Sequence, residues 1–294
     1  MPMRATKTST LAALQREGAA RLREAGIDTA PLDARLLLCH AADLDHAAFI
    51  SRGEEPARDD VVASFQSLIE RRASSEPVAR ILGEEEFWGL SFLLGPETLV
   101  PRPDSEAIIA AALELVPDHT KLQRVLDLGT GTGCLLLALL SELPKGTGLG
   151  IDRSNAAVEV ARANAARLGL LDRALFNNGN WADGLDETFD IIISNPPYIP
   201  SGEIKTLSRD VRDHDPNLAL DGGDDGLGCY RELLGELPRL LKPQGFAVLE
   251  TSPDLYTELL DLTAAVPGIE MLQGIKDLAG RWRGMCLAKA EIAN

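Results

Sequence analysis

The chain is short of positive charge: 29 Lys and Arg stand against 45 Asp and Glu, a formal charge of −16. So acidic a surface repels phosphate backbones, which speaks against general nucleic-acid binding and leaves room only for a local basic patch. Cysteine is scarce too. Cys39, Cys134, Cys229 and Cys286 lie far apart with no Cys-x-x-Cys pair, which argues against a disulfide framework or a zinc cage and fits a reducing cytoplasm. Long apolar runs are missing, since the longest, CLLLALL at 134–140, is far short of the roughly 20 residues that span a bilayer. The opening MPMRATKTST lacks the apolar core of a signal peptide. The histidines are scattered, none with a partner at ligand spacing, so no metal is expected. A soluble cytoplasmic protein without membrane association is the expectation.

What is present is an ordinary globular composition, 45% apolar and 25% charged, in 294 residues. The first 75 or so residues read as helices. Leu11, Leu14, Gly18, Leu22 and Ala25 share one face behind a cap near Thr8 to Thr10, and Leu32, Leu36 and Cys39 repeat the stepping with Pro31 in a first turn. Val62, Phe65, Leu68 and Ile69 mark another helix that Ser74, Ser75 and Pro77 end. From about residue 80, EFWGLSFLLGPETLVPRPDSE suggests a hairpin. Strands at 123–128, 147–151, 189–194 and 245–250 then alternate with helices at 105–116, 133–143, 154–168 and 227–241. That alternation predicts a mostly parallel sheet covered on both faces, with ligands at the carboxyl ends of its strands.

RVLDLGTGTGCLLLALL places Gly129, Gly131 and Gly133 in a strand-to-helix turn, where glycine permits tight backbone and close ligand approach. The next strand ends in GLGID, putting Asp152 about 20 residues downstream, where a carboxylate can take both hydroxyls of a ribose; the competing reading is a helix cap. A nucleoside is implied. Nicotinamide cofactors use the same layout, but here the last glycine falls one place early for Gly-x-Gly-x-x-Gly. There is also no Gly-Lys-Ser/Thr to hold a triphosphate, so a nucleoside without phosphates, such as S-adenosylmethionine, fits best. Trp181 could cover an adenine ring or simply belong to the core.

IIISNPPYIP ends a strand with two prolines between Asn195 and Tyr198. The Asn195 amide and a proline carbonyl can accept the two N–H bonds of a planar –NH₂ group, held in aim by rigid backbone, while Tyr198 offers a flat face. An amide nitrogen so held can develop its lone pair toward a methyl sulfonium without a strong base, positioning supplying most of the catalysis.

Together these residues resemble class I S-adenosylmethionine-dependent methyltransferases with an Asn-Pro-Pro-Tyr motif, and among them the peptide-chain release factor glutamine N5-methyltransferases (PrmC/HemK type). LDARLLL, ILGEEEFWGLSF, LVPRPDSE, DLGTGTG, ISNPPYIP, DPNLALDGGDDGL and DLAGR carry the resemblance along nearly the whole chain. It implies an α/β fold, a doubly wound, mostly parallel sheet with a final antiparallel hairpin, for which GIEMLQGIKD and RWRGMCLAKA are candidates. Three regions follow: a helical substrate-recognition domain at 1–80, a connecting hairpin at 81–104 and a methyltransferase domain at 105–294. Gly129, Thr130, Gly131, Thr132, Gly133, Asp152, Trp181 and Asn195 would contact S-adenosylmethionine. Asn195, Pro196, Pro197 and Tyr198 would clamp the glutamine of a release factor's Gly-Gly-Gln loop, with Asn195, Pro196 and Tyr198 as the catalytic set. The rivals are a ribosomal-protein glutamine and an N6-adenine of nucleic acid, the latter disfavoured by the charge. A monomer with no direct nucleic-acid contact is expected.

Three positions depart from the family pattern: Asn180 for Asp, Ser105 for the commoner Thr, and LETSPD at 249–254 for Glu-Ile/Val-Gly. DGGDDGLGCYRE from Asp221 mimics a calcium loop, but Gly223 supplies no ligand at the third position, so a turn before the following helix is the reading. Arg102, Asp104 and Glu106 suit either a salt-bridged hinge or a wall of the cofactor pocket.

Overall fold

The structure, a computed structural model, describes residues 9–290. The chain divides into two compact units: one runs up to Gly83 and takes in Arg209–His214, the other holds Glu84–Ser208 and the chain from Asp215 onward.

The first unit is built from α1 (Leu11–Glu24), α2 (Ala30–Ala42), α3 (His46–Arg52), α4 (Asp59–Ala73) and α5 (Val78–Leu82). Thr10 caps α1, its hydroxyl accepting from Ala13 N–H at 3.2 Å; Thr8 lies outside the described residues. Gly18 is required by packing: a Cβ there would sit 2.5 Å from Phe65 Cζ, so only glycine lets α1 and α4 meet. The expected face of α2 is corrected. Leu32 and Leu36 are exposed, and Ala30, Ala34, Leu37 and Leu38 are buried instead. ARLLLC is apolar most of the way round, so periodicity did not single out a face, and packing against α1 and α4 chose the other one. Asp33, on the buried side, takes Arg72 of α4 at 2.7 Å and the Thr29 hydroxyl at 2.8 Å.

The second unit opens with a two-stranded antiparallel hairpin, β1 (Glu84–Phe87) and β2 (Leu90–Leu93). There follow α6 (Glu106–Leu115), β3 (Arg124–Leu128), α7 (Cys134–Glu142), β4 (Thr147–Asp152), α8 (Asn155–Arg167), β5 (Ala174–Asn178) and β6 (Phe189–Ser194). After α9 (Arg209–Arg212), which belongs to the first unit, come α10 (Gly228–Leu240), β7 (Leu241–Glu250), α11 (Tyr256–Ala264), β8 (Ile269–Lys276) and β9 (Trp282–Lys289). Sequence reading left out β5 and α11. As an edge strand β5 shows water Leu175, 67% exposed, and ends in two asparagines, so its strand signal is weak.

The seven strands lie in the order β5-β4-β3-β6-β7-β9-β8, with β9 and β8 antiparallel as the candidate hairpin predicted. Helix α7 is apolar all round, Leu135–Leu140 being buried, and packs with α6 and α8 on one face of the sheet; α10 and α11 cover the other. Strand order reverses between β3 and β6, because the chain winds from β3 to β5 one way and from β6 onward the other. Such a reversal leaves a crevice at the carboxyl ends of the two central strands. The glycine turn and Asn195 both emerge there. The Ser194 hydroxyl, donating to Leu128 O at 2.6 Å, ties the two strand ends together.

Candidate active site

At that crevice lies a cavity of about 570 Å³, a size suited to a small organic ligand. Gly129, Thr130, Gly131, Thr132, Asp152, Trp181, Asn195 and Pro197 line it, as do Arg102 and Ser105 from the PRPDSE segment. Gly133, expected among the cofactor contacts, is not on the wall. A Cβ there would come within 3.2–3.3 Å of Ala161, Leu137 and Phe176, so this glycine serves close packing of helix on sheet. Pro196 and Tyr198 are likewise off the wall. Pro196 is buried and the Tyr198 side chain packs against the α10–α11 core.

The turn itself is rigid. Gly129, Gly131 and Gly133 all have positive φ, which other residues adopt only at a cost. Gly129 and Thr130 donate to Ile151 O at 2.9 and 3.0 Å, and the Thr130 hydroxyl donates to Asp127 Oδ2 at 2.6 Å. Asp152 is not a helix cap, because Ser154 fills that place on α8. It accepts Gly131 N–H on Oδ2 at 2.8 Å and Ser154 N–H on Oδ1 at 2.9 Å, so it braces the turn from the neighbouring strand. Each oxygen keeps a second lone pair for a ligand hydroxyl. Burial raises the Asp152 pKa against the pull of these two amides.

Asn164 was missed by sequence reading. Fully buried on α8, its amide accepts from Leu93 N–H at 2.7 Å and donates to Leu93 O at 3.1 Å and Thr132 O at 2.9 Å, pinning the hairpin to the glycine turn. Nothing short-range signals such a contact, since an asparagine inside a helix is usually solvated.

Trp181 lies over Gly129, where a Cβ would be 3.4 Å from its ring. Its backbone is left-handed at φ 47, a strain of roughly 1–2 kcal/mol for a non-glycine residue. Arg239 of α10 holds the loop by donating to the carbonyls of Ala182 and Leu185.

The DGGDDGL segment has a purpose beyond a turn. Ile199 N–H donates to Leu220 O at 3.0 Å, Gly222 N–H to Ile199 O at 2.9 Å, and the Ser201 hydroxyl to Asp221 at 2.6 Å. A Cβ on Gly222 would fall 2.8 Å from Tyr198 Cα. Glycine there lets this loop clamp the backbone that follows Asn195. Asp225 pairs with Arg231, which with a backbone amide brings its pKa to about 2, and no metal-binding cluster occurs among the described residues.

PRPDSE is salt-bridged through Arg102 and Asp104, and Arg102 also reaches the cavity wall. Arg102 pairs with buried Asp215 at 2.6 Å, Asp104 pairs with Arg283, and Glu106 accepts Trp88 N–H at 2.8 Å. Burial pushes the Cys134 thiol and the Tyr198 phenol each up to about 12, so neither is an anion at neutral pH. It also raises Asp127 and Glu250, each to about 7.

The residues fit an S-adenosylmethionine-sized group. Gly131 opens onto free space, with nothing within 4 Å of an added Cβ, and Asp152 on the cavity wall offers its lone pairs. A doubly wound sheet with this turn, this carboxylate and Asn-Pro-Pro-Tyr at the switch point defines a class I methyltransferase. Residues 13–83 match the PrmC N-terminal domain and residues 119–276 a methyltransferase domain. A release factor glutamine methyltransferase of Bradyrhizobium diazoefficiens is 44% identical over 273 residues, 92% of each chain, and that of Caulobacter vibrioides is 42% identical over 260 residues, 88% of this chain and 89% of its own. A methyltransferase structure from Pyrococcus furiosus shares the fold at 20% identity and a TM-score of 0.50, over 76% of this chain and 95% of its own. The chain belongs to the release factor glutamine methyltransferase family.

Proposed function

We propose that this protein transfers a methyl group from S-adenosylmethionine to the N5 side-chain amide of the glutamine in the Gly-Gly-Gln loop of peptide-chain release factors. The observation that carries this reading is the placement of Asn195 and Pro197 on the wall of the cavity that also holds the glycine turn and Asp152. When bound, S-adenosylmethionine supplies an electrophilic methyl carbon on a sulfonium. Gly129 and Gly131 would let it approach the backbone of the turn, Asp152 would take its ribose hydroxyls, and Trp181 would cover its adenine.

Asn195 Oδ1 and a backbone carbonyl of the rigid proline pair, of which Pro197 faces the cavity, would accept the two N–H bonds of the substrate amide and hold them in one plane. As its lone pair turned toward the methyl carbon, the nitrogen would become tetrahedral and bond that carbon while the carbon–sulfur bond broke, the sulfur leaving as a neutral thioether and the extra proton passing to water. Tyr198, a neutral phenol, bounds the substrate side without acting as a base, and the neutral Cys134 thiol does not compete as a nucleophile. Positioning therefore carries the catalysis. The helical unit serves to recognise the release factor.

No helix among the described residues is long and apolar enough to cross a membrane, and the four cysteines are free. The acidic charge favours a protein in translation termination over nucleic acid as the substrate, and the proposal includes a cytoplasmic monomer. The test is intact-mass spectrometry of a release factor incubated with the protein and S-adenosylmethionine. A single added methyl on the wild-type factor, and none on one with Ala in place of the Gly-Gly-Gln glutamine, is expected. Methylation of a ribosomal protein or of adenine in its place would overturn the substrate assignment.

A further inference from the structure

An asparagine amide has two ends of nearly equal size, and only one of them can accept from a substrate –NH₂. If Asn195 turned its Nδ2 toward the substrate, donor would face donor and the clamp would fail. Something behind Asn195 must decide the rotamer.

The sheet puts one candidate there. Strands β6 and β7 run parallel with Ser194 beside Leu249, so the next step along both chains brings Asn195 alongside Glu250. Glu250 is 5% exposed and does not line the cavity, while Asn195 does. Its backbone is fixed from two sides: Tyr230 Oη donates to Glu250 O at 2.6 Å, and β9 pairs it with Gly284. A Cβ on Gly284 would lie 3.3 Å from Glu250 Cα, so glycine allows that close passage. Glu250 Oε2 and the Ser105 hydroxyl are both buried without a hydrogen-bond partner, a costly condition that invites a functional explanation. Ser105, Asn195 and Arg283 nevertheless lie close enough to favour the Glu250 carboxylate.

We infer that Glu250, assisted by Ser105, is a positioning residue for the transfer: its carboxylate takes the Nδ2–H of Asn195 and so turns Asn195 Oδ1 toward the substrate amide. This rests on the amide-methylation reading above. The ionised form is the one that works, because a protonated carboxyl can donate to Asn195 Oδ1 and hold the amide the wrong way round. Burial raises the Glu250 pKa to about 7, opposed by Ser105, Arg283 and Asn195 and reinforced by Asp104. The other titratable groups that feel its charge are Tyr198, Tyr230 and Cys134, all held neutral by burial. Turnover therefore rises with pH through the neutral range as the carboxylate forms.

Two measurements test this. In steady-state methylation of a full-length release factor, Glu250→Ala should lower kcat by about 10- to 100-fold, the scale for loss of an orienting partner. KM and S-adenosylmethionine affinity should change by no more than about threefold, since binding is not what is lost. Glu250→Gln keeps an acceptor for Asn195 Nδ2, so it should restore most of the lost kcat and flatten the rise with pH. Wild-type kcat in the Ala variant, or a Gln variant no better than Ala, would overturn the assignment.

The second measurement needs no turnover: the Glu250 carboxyl is titrated by carbon NMR in the wild type and in Asn195→Ala. Loss of the donor should move the Glu250 pKa upward, and an unchanged titration would overturn the pairing. A moved titration in a protein that leaves release factors unmethylated would instead sink the substrate reading while the pairing stands.

Discussion

The two sides of the cavity are finished differently. On the glycine-turn side, the Thr130 hydroxyl, the Gly131 N–H and the Thr132 carbonyl are all engaged, by Asp127, Asp152 and Asn164. Among the described residues, Asp127 Oδ1 alone is left over there without a close hydrogen bond. Around Asn195, Ser105 Oγ and Glu250 Oε2 are buried with no close hydrogen bond, although Ser105 and Asn195 lie near enough to favour the Glu250 carboxylate. One wall is a closed hydrogen-bond network that presents a preformed cradle. The other is less tightly bonded, its buried polar atoms gathered around the amide that is to be aimed at a reacting group. The difference separates binding from chemistry. Damage to the first wall should appear as lost cofactor affinity, and damage to the second as lost turnover.

The sharpest break is Asn195→Ala, which should cut the methylation rate by about 10²-fold or more, the cost of deleting a pre-aimed polar group. Near-normal single-turnover rates would sink the amide clamp. On the opposite wall, Asp152→Ala should weaken S-adenosylmethionine binding by about 10- to 100-fold, as expected for loss of hydrogen bonds to a charged acceptor. Calorimetric titration checks this, and a larger loss in kcat than in affinity would erase the division between the walls.

Gly222→Ala presses on Tyr198 Cα, and displacing the loop after Asn195 should cost about tenfold in kcat while leaving cofactor affinity alone. Equal losses in both would show that the walls move together.

The smallest effect concerns pH. The buried Asp127 and Glu250 have folded pKa values of about 7, raised from 3.8 and 4.5. Between those values the folded state binds more protons than the unfolded one, so this contribution is full at low pH and is lost as pH rises through about 7. The melting temperature should accordingly fall between about pH 5 and about pH 8. Asp127→Asn, which keeps an acceptor for Thr130, should flatten that slope. Melting curves with an unchanged slope in the variant would contradict the raised pKa.

Much of this was legible in the sequence because the signals are short-range. Helix α7 follows its glycine turn and is apolar enough to read at sight, and β6 ends where two prolines stop it. The poorly read parts each depend on a distant partner. Leu32 and Leu36 looked like a core face because nothing local marks which side of an apolar helix another helix will take. Strand β5 was passed over because its half-exposed edge position leaves little alternation to see. Asn164 and Glu250 look unremarkable beside their sequence neighbours, and their meaning comes from Leu93, Thr132 and Asn195.

By itself the sequence determined the alternating strands and helices, the glycine turn with its carboxylate, and the Asn-Pro-Pro-Tyr terminus. Backbone sterics and side-chain periodicity act over a few residues and leave their mark in the local order. Only the tertiary structure decided that β3 and β6 lie side by side, and hence that the turn and Asn195 share one cavity. It alone set Glu250 behind Asn195 and put Gly133, Pro196 and Tyr198 off the cavity wall. Those outcomes depend on strand order and register, which are fixed by burying whole faces of the sheet at once.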